Sequence, residues 1–146
     1  MKEGIFNALI AVRKGSQRIK DKNIKQFSAS SLLEIKVRQA IENNSINEVF
    51  VSSDCKRMLQ LARELGATTI NREAKYCSNI IPMNEVYEHL ANSVSGDHIV
   101  YLHVTSPLLE DSTLESCIQA YKQMDARYDS LATVAVSYTH LRAHET

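Results

Sequence analysis

Residues 6–23 read FNALIAVRKGSQRIKDKN, an apolar run that changes abruptly into a basic one. The apolar part, 6–12, has the length of a strand, and continuous rather than alternating apolar residues are typical of a strand covered on both faces. Positive charge follows at once, because the segment 13–25 contains six basic residues and one acidic residue. This stretch predicts a buried strand that leads into an exposed loop, residues 13–25, which we name the basic loop.

The charge of the basic loop stands out against the rest of the chain. Over all 146 residues, 17 Lys and Arg balance 17 Asp and Glu, so the remainder carries 11 basic and 16 acidic residues. A basic loop is often only a solvated surface, and charge alone does not separate that interpretation from an anion site. The position of the loop in the fold must decide between them.

Composition indicates one ordinary globular domain. Hydrophobic residues make up 44% of the chain, and only 4 Gly and 2 Pro are present. The three cysteines, Cys55, Cys77 and Cys117, are widely spaced and odd in number, which favours neither a disulfide framework nor a zinc site. The apolar run near the amino terminus is too short for a signal peptide or a membrane span. We therefore expect reduced thiols and a cytoplasmic location.

Apolar periodicity predicts alternating strands and helices along the chain. A strand and a helix follow each other repeatedly, which is typical of a mainly parallel sheet with helices on both faces. The fold class is therefore α/β, a three-layer α/β/α arrangement. The predicted strands are 6–12, 48–54, 67–71, 98–104 and 130–136, and the predicted helices are 31–44, 56–66, 82–94 and 111–124.

The helix at 31–44 has an amphipathic pattern. Four apolar residues fall on one helical face and are expected to be buried, whereas the charged residues fall elsewhere. The apolar set is Leu33, Val37, Ala40 and Ile41, and the charged set is Glu34, Lys36 and Glu42.

The residue types at the ends of the predicted helices indicate how those helices begin and end. Gly66 suits the left-handed conformation that ends a helix, and Pro82 suits the first turn of the next one. Ser112 and Glu115 have the spacing of a capping box. Asp54 precedes the helix at 56–66, so we expect it to cap that helix rather than to support Mg²⁺ or the basic loop.

The loops that follow the predicted parallel strands should meet at one edge of the sheet. Ligands of open α/β sheets bind outside the carboxyl ends of the strands. The basic loop leaves the first strand there, and the segments SSD (52–54), NREAKYCSN (71–79) and VTSPLLED (104–111) follow the next three strands. This convergence favours a ligand site over an idle patch.

The motifs of the basic loop restrict its ligand. Gly15 is its only glycine, so neither a dinucleotide fingerprint nor a P-loop is present. A turn at Gly15 and Ser16 would let amide groups face an anion, and the cationic side chains would match a triphosphate. Nucleic acid is the rival, although it usually favours a longer basic face with stacking aromatic side chains, and Phe27 is the only one nearby.

Ordered motifs along residues 5–136 resemble one known family. The segments ALIAVRKGSQRIKDKNIKQF, VFVSSD, NREAKYCSN and LHVTSPL are similar to those of the acylneuraminate cytidylyltransferases, which share a fold with the deoxy-octulosonate cytidylyltransferases. The opening family motif, A-R-x-G-S-x-x-x-x-x-K-N, is matched by Arg13, Gly15, Ser16, Lys22 and Asn23. The resemblance implies a nucleotide-diphospho-sugar transferase-like, Rossmann-like fold that is truncated here.

The resemblance also implies a reaction and roles for individual residues. A nine-carbon sugar acid would attack CTP to give a CMP-sugar and pyrophosphate, with Mg²⁺ as cofactor and a homodimer as the full-length form. Arg13 and Lys22 would be catalytic, and His103, Thr105 and Ser106 would contact the sugar. The implied nucleotide-binding set is Arg13, Gly15, Ser16, Gln17, Lys22, Asn23 and Arg72, and Arg72 would help to recognise cytosine. No metal ligand is assigned in this chain, since no DxD pair follows Val136.

The chain departs from the family pattern at several positions. Gln17 stands where relatives often have Lys, and HVTSPLL at 103–109 stands where they commonly have QPTSPLR. Residues 137–146 do not continue the pattern, so we expect a nucleotide-binding domain at 1–136 and a non-native or disordered tail at 137–146. We expect neither nucleic acid nor a membrane as a partner. Three alternatives stay open: a legionaminate, pseudaminate or octulosonate substrate, a non-catalytic CTP-binding domain, and a nucleic-acid-binding module.

Overall fold

A computed structural model of the chain describes residues 1–14, 26–27 and 30–134. Apart from the two-residue strands β2 and β3, which pair with each other in antiparallel fashion, strands and helices alternate along it. The elements are β1 (Phe6–Ala11), β2 (Gln26–Phe27), β3 (Ser30–Ser31), α1 (Leu32–Glu42), β4 (Glu48–Ser53), α2 (Lys56–Glu64), β5 (Thr68–Asn71), a 3-10 helix (Ala74–Cys77), α3 (Met83–Asn92), β6 (His98–Leu102) and α4 (Asp111–Gln123).

The main sheet contains β5, β4, β1 and β6 in that spatial order. Every neighbouring pair in it is parallel, and Leu9 of β1 lies in register with Phe50 on one side and Tyr101 on the other. The predictions of strands at 6–12, 48–54, 67–71 and 98–104 are thereby confirmed. Each observed strand is shorter than predicted by one or two residues.

Two apolar clusters cover the two faces of this sheet. Ala8 and Ile10 of β1 pack with buried residues of α1, α2 and α4, whereas Leu9 packs with Val86 and Leu90 of α3. Successive residues of a strand point to opposite faces, so the continuous apolar run of β1 supplies both clusters. The predicted three-layer α/β/α architecture is confirmed.

The buried face of α1 differs from the predicted one at two positions. Leu33, Val37 and Ala40 are fully buried as expected, but Ile41 is 41% exposed. Lys36, predicted to lie away from the core, is 1% exposed. Position 36 is about one helical turn from both Leu33 and Ala40 and therefore borders the apolar face, and hydrogen bonds from its ammonium offset the cost of burying this charge.

The predicted capping box of α4 is wrong. Glu110 occupies the position before the helix, and the Glu115 carboxylate instead accepts hydrogen bonds from the Ser45 hydroxyl at 2.8 and 3.0 Å and from Gln119 at 2.7 Å. Glu115 is therefore used to join α4 to the loop before β4. Gly66 does take a positive φ, 102°, directly after the end of α2.

The predicted strand at 130–136 is wrong for the part that is described. Residues 130–134 are irregular and exposed, and several of them line a groove beside β6. Their apolar, β-branched composition signals strand propensity, but a strand forms only where a neighbouring backbone supplies hydrogen bonds. Residues 135–136 and the predicted tail at 137–146 lie outside the described residues.

All three cysteines are free thiols. Within 1–14, 26–27 and 30–134, no helix is both long and apolar enough to cross a bilayer.

Candidate nucleotide site

The strand order creates a crevice at the carboxyl end of the sheet. From β1 the chain moves outward through β4 and β5, and then returns to the opposite side of β1 as β6. Ligands of open α/β sheets bind at such a reversal, between the loops of the two strands that flank it. In this sheet the two strands are β1, which is followed by the basic loop, and β6, which is followed by residues 103–110. We name residues 103–110 the β6 loop.

The first residues after β1 are held by three hydrogen bonds to residues at or just beyond the carboxyl ends of β4 and β5. The Val12 amide donates to the Ser52 carbonyl at 3.0 Å, and the Val12 carbonyl accepts from Nη2 of Arg72 at 2.8 Å. The Lys14 amide donates to Oδ1 of Asp54 at 2.9 Å. The basic loop therefore starts from a fixed backbone at the carboxyl ends of β1 and β4.

Arg13 extends from this fixed backbone towards the segment that follows β5. Its Nη1 donates to Oδ1 of Asn79 at 2.7 Å and to the carbonyl of Cys77 at 3.2 Å. Both partners belong to the predicted loop segment 71–79. The structure thus brings the loops after β1, β4 and β5 together, as the parallel arrangement predicted.

Arg72 lies beneath this contact and is only 6% exposed. Besides its bond to Val12, its Nε donates to Sγ of Cys77 at 3.0 Å, and its amide donates to the Ser53 carbonyl at 2.9 Å. Burial raises the pKa of the Cys77 thiol, and the adjacent Arg72 guanidinium opposes that shift. The thiol therefore stays protonated at neutral pH, and Arg72 ties the 77–79 segment to the end of β1.

Asp54 does not cap α2, contrary to the sequence prediction. Cys55 occupies the position before the helix, and its amide donates to Oγ of Ser53 at 3.0 Å. The carboxylate of Asp54 instead accepts from the Lys14 amide, and it is Cys55, not Asp54, that holds the N-cap position from which a side chain can reach the first helix amides. The alternative considered for Asp54, support of the basic loop, is the observed one.

The β6 loop places the predicted sugar-contacting residues on the other border of the crevice. His103 lies just beyond the end of β6, and it is exposed together with Thr105 and Ser106. Val104, between them, is 6% exposed and belongs to the main apolar cluster. A buried anchor with exposed polar neighbours gives this loop a defined position while leaving the polar groups open to a ligand.

A groove of about 620 Å³ runs along β6 below this loop. Lys36, His103 and Ser106 lie at its polar end, and the residues facing α4 are mainly apolar. Tyr101 borders the groove while its ring packs towards α3, and desolvation by burial raises the pKa of its hydroxyl. The polar end therefore adjoins the crevice, whereas the rest of the groove is an apolar surface beside the sheet edge.

Five predicted nucleotide-site residues lie outside the described part of the chain: Gly15, Ser16, Gln17, Lys22 and Asn23. Their roles stay predictions. Within the basic loop, the structure describes only Arg13 and Lys14.

Sequence reasoning missed the partners of Arg13 and the burial of Lys36. Cys77 and Asn79 were included only as members of a converging loop, and nothing local marks them as acceptors. Lys36 had a detectable signal, because its position on α1 coincides with the apolar face.

A metal site requires several oxygen, nitrogen or sulfur ligands in one place. Among the described residues, no three His, Cys, Asp or Glu side chains come together in that way.

A family model described as "Cytidylyltransferase" matches residues 7–145. Pseudaminic acid cytidylyltransferase of Campylobacter jejuni is 28% identical over 131 residues, which are 86% of this chain and 56% of that protein. N-acylneuraminate cytidylyltransferase A of Danio rerio is 28% identical over 130 residues, 88% of this chain and 30% of that protein. The chain thus spans about half, or less, of the length of these relatives.

Solved structures support the fold independently. The structure of CMP:2-keto-3-deoxy-manno-octonic acid synthetase in complex with CTP superposes with a TM-score of 0.66 at 18% identity, over 80% of this chain and 47% of that one. A cytidylyltransferase from Leptospira borgpetersenii superposes with a TM-score of 0.63 at 21% identity, over 81% and 50% of the two chains. Together with the family match, these findings show that the chain belongs to the cytidylyltransferase family.

Proposed function

We propose that this chain is the nucleotide-binding part of an enzyme that activates a sialic acid or a related nonulosonate with CTP. The observation that carries the proposal is the fixed start of the basic loop at the crevice beside β1, in a chain of this family. The anomeric oxygen of the sugar acid would form a bond to the α-phosphorus of CTP. The bond from that phosphorus to the bridging oxygen would break, pyrophosphate would leave, and the hydroxyl proton would pass to solvent.

The proposed catalysis rests on alignment and on neutralising charge, which dominate phosphoryl and nucleotidyl transfer. Arg13 and Lys22 are the proposed catalytic cations that hold the phosphates. A fixed donor of this kind stabilises a transition state by about 3 kcal/mol. The remaining proposed nucleotide contacts are Gly15, Ser16, Gln17, Asn23 and Arg72.

The roles proposed for Arg72 and for the sugar contacts differ in their support. Arg72 is assigned to cytosine recognition, but at least two of its side-chain N–H groups already donate to Val12 and Cys77. These bonds favour a supporting role behind the base site. His103, Thr105 and Ser106 are exposed on the opposite border of the crevice, where a sugar acid would lie beside the α-phosphate.

The identity of the sugar acid is a separate question, because nucleotide motifs do not distinguish among sugars. Similar proteins include a pseudaminic acid cytidylyltransferase, a CMP-N,N'-diacetyllegionaminic acid synthase and 3-deoxy-manno-octulosonate cytidylyltransferases. We propose a nonulosonate as the substrate class and retain these alternatives, as well as a CTP-binding domain without catalytic activity.

Further elements of the proposal follow from the same reaction. Mg²⁺ would accompany CTP through its phosphates, the enzyme would act in the cytoplasm where CTP is available, and the full-length form would be a homodimer. Residues 1–136 would form the nucleotide-binding domain. Sequencing the source DNA beyond codon 136 tests whether 137–146 is native.

Calorimetric titration of the chain with CTP and Mg²⁺ tests the proposed function, with UTP and ATP as controls. Selective CTP binding, followed by pyrophosphate release when a nonulosonate is added, is the expected result. Selective binding without release for any sugar acid would favour a non-catalytic CTP-binding domain. Affinity for oligonucleotides that falls steeply with salt, without preference for CTP, would contradict the proposal.

A further inference from the structure

Lys36 is a buried cation in a helix whose other inward residues are mainly apolar. It is 1% exposed, and its Nζ donates to the Ser106 carbonyl at 2.9 Å and to Oε1 of Gln39 at 2.7 Å. Bonds from an ammonium to neutral oxygens are stronger than bonds between neutral groups. Lys36 therefore holds the backbone of the β6 loop from below.

Gln39 makes a second connection from α1 to the same region. Its Nε2 donates to the Leu109 carbonyl at 2.7 Å and to Oδ1 of Asp111 at 2.9 Å, while its Oε1 accepts from Lys36. One side chain thus links Lys36 to both the end of the β6 loop and the start of α4. The pair fixes the loop backbone at Ser106 and at Leu109.

Burial and charge agree with this arrangement. Desolvation lowers the pKa of the Lys36 ammonium, and the nearby Asp111 carboxylate opposes that shift. Removing the ammonium would leave the Ser106 carbonyl and the Gln39 side-chain oxygen without this donor. An unpaired buried acceptor is costly, so the loop would move to find another partner.

Direct contact between Lys36 and a ligand does not fit this geometry. The side chain borders the groove but is almost fully enclosed, and its ammonium already donates to the Ser106 carbonyl and to Oε1 of Gln39. The polar groups of the loop, in contrast, are exposed at Thr105 and Ser106. Any influence of Lys36 on a ligand must therefore pass through the position of this loop.

We propose that Lys36, together with Gln39, is a positioning residue that fixes the β6 loop in the conformation that receives the sugar acid. The inference rests on the proposed function, because that function makes the β6 loop the sugar-contacting border of the crevice. It assigns specificity for the sugar acid, and not for CTP, to two side chains of α1 that touch neither substrate.

The test compares Lys36→Met, which removes the ammonium but keeps an unbranched apolar side chain of similar length, with Lys36→Arg, which restores a cationic donor. Arg38→Met is the matched control, because it removes one positive charge from the same helix at a side chain that is 57% exposed. Gln39→Met is a second variant in case Lys36→Met does not fold, since it removes the bond to the Leu109 carbonyl and keeps the ammonium at 36. CTP affinity is measured by calorimetry, and then sugar-acid affinity in the presence of CTP.

The sugar probes are N-acetylneuraminate, pseudaminate, N,N'-diacetyllegionaminate and 3-deoxy-octulosonate. Lys36→Met is expected to weaken binding of the preferred probe about ten- to hundred-fold, since small misplacements of contacting groups have effects of that size. CTP affinity should change by less than about twofold, well below the tenfold that 1.4 kcal/mol produces. Hydrogen exchange should rise in 103–109, and Lys36→Arg should recover much of the loss.

Three results would overturn the inference: unchanged exchange in the β6 loop of Lys36→Met, an equal loss of CTP and sugar-acid affinity, or no sugar-acid binding by a wild-type chain that binds CTP. The last result would leave CTP binding standing. A wild-type chain that binds no CTP would instead contradict the proposed function itself.

Discussion

The Arg72 guanidinium joins the end of β5 to the end of β1, and this contact determines how a replacement of Arg72 should affect stability. Its Nε and Nη2 reach Cys77 and Val12 in different directions, which the single ammonium of lysine cannot reproduce. We expect Arg72→Lys to lower the free energy of unfolding by about 1–3 kcal/mol, the cost of leaving a buried group unpaired. Urea unfolding measures this loss.

Arg57→Lys is the matched control for Arg72→Lys, since Arg57 is exposed on α2 and its replacement should leave stability nearly unchanged. If Arg72→Lys were as stable as wild type and lost only its preference for CTP over UTP, Arg72 would be a base contact and not a structural tie.

Asp54 acts through one hydrogen bond to the basic loop, and two variants separate that bond from its charge. Asp54→Asn removes the charge but keeps an oxygen near the Lys14 amide, whereas Asp54→Ala removes both. Because one such bond contributes about 1 kcal/mol, Asp54→Ala should bind CTP about fivefold more weakly than Asp54→Asn. Calorimetry checks the difference, and equal affinities would mean that this bond does not position the loop.

At the scale of elements, α1 shows why helical periodicity predicts a buried face only in part. Leu33 is fully buried, whereas Ile41 is 41% exposed near the end of the helix. Leu33→Ala should destabilise the chain by about 2–5 kcal/mol, as cavity-forming substitutions do. Ile41→Ala should cost about 1 kcal/mol, because it removes less buried apolar area.

Thermal or urea unfolding of the two α1 variants gives the comparison directly. An equal loss for both would place Ile41 in the core, as its sequence position alone predicted, and would contradict the observed face of α1.

Strands and helices with their own apolar pattern could be predicted from the sequence, because burial of one or both faces requires apolar residues at regular positions within the element itself. Hydrogen bonds to distant parts of the chain could not be predicted in this way. Nothing near Asp54 indicates that it bonds to Lys14, 40 residues away, and nothing near Glu115 indicates Ser45 as its partner. The irregular 130–134 segment is the same case, since strand formation depends on a partner that its own residues do not specify.

At the scale of the whole molecule, the location of the site could be predicted better than its details. Parallel strands place all their following loops at one edge, so the order of elements was enough to bring Arg13 near the 71–79 segment. The path back to β6 adds the β6 loop to the same crevice. The two hydrogen-bonded ties from α1 depend on packing between elements: Gln39 had no local signal, and Lys36 had only its position beside the apolar face of α1.

The most direct test of the central claim, that the basic loop holds the phosphates of CTP, is a calorimetric titration of three proteins: wild type, Lys22→Ala and Lys20→Ala. The two variants lose the same charge from the same loop, but only Lys22 belongs to the family motif. We predict selective CTP binding by wild type, a loss of about tenfold or more in Lys22→Ala and a much smaller loss in Lys20→Ala. Equal losses in both variants, or CTP binding that neither variant changes, would contradict the claim.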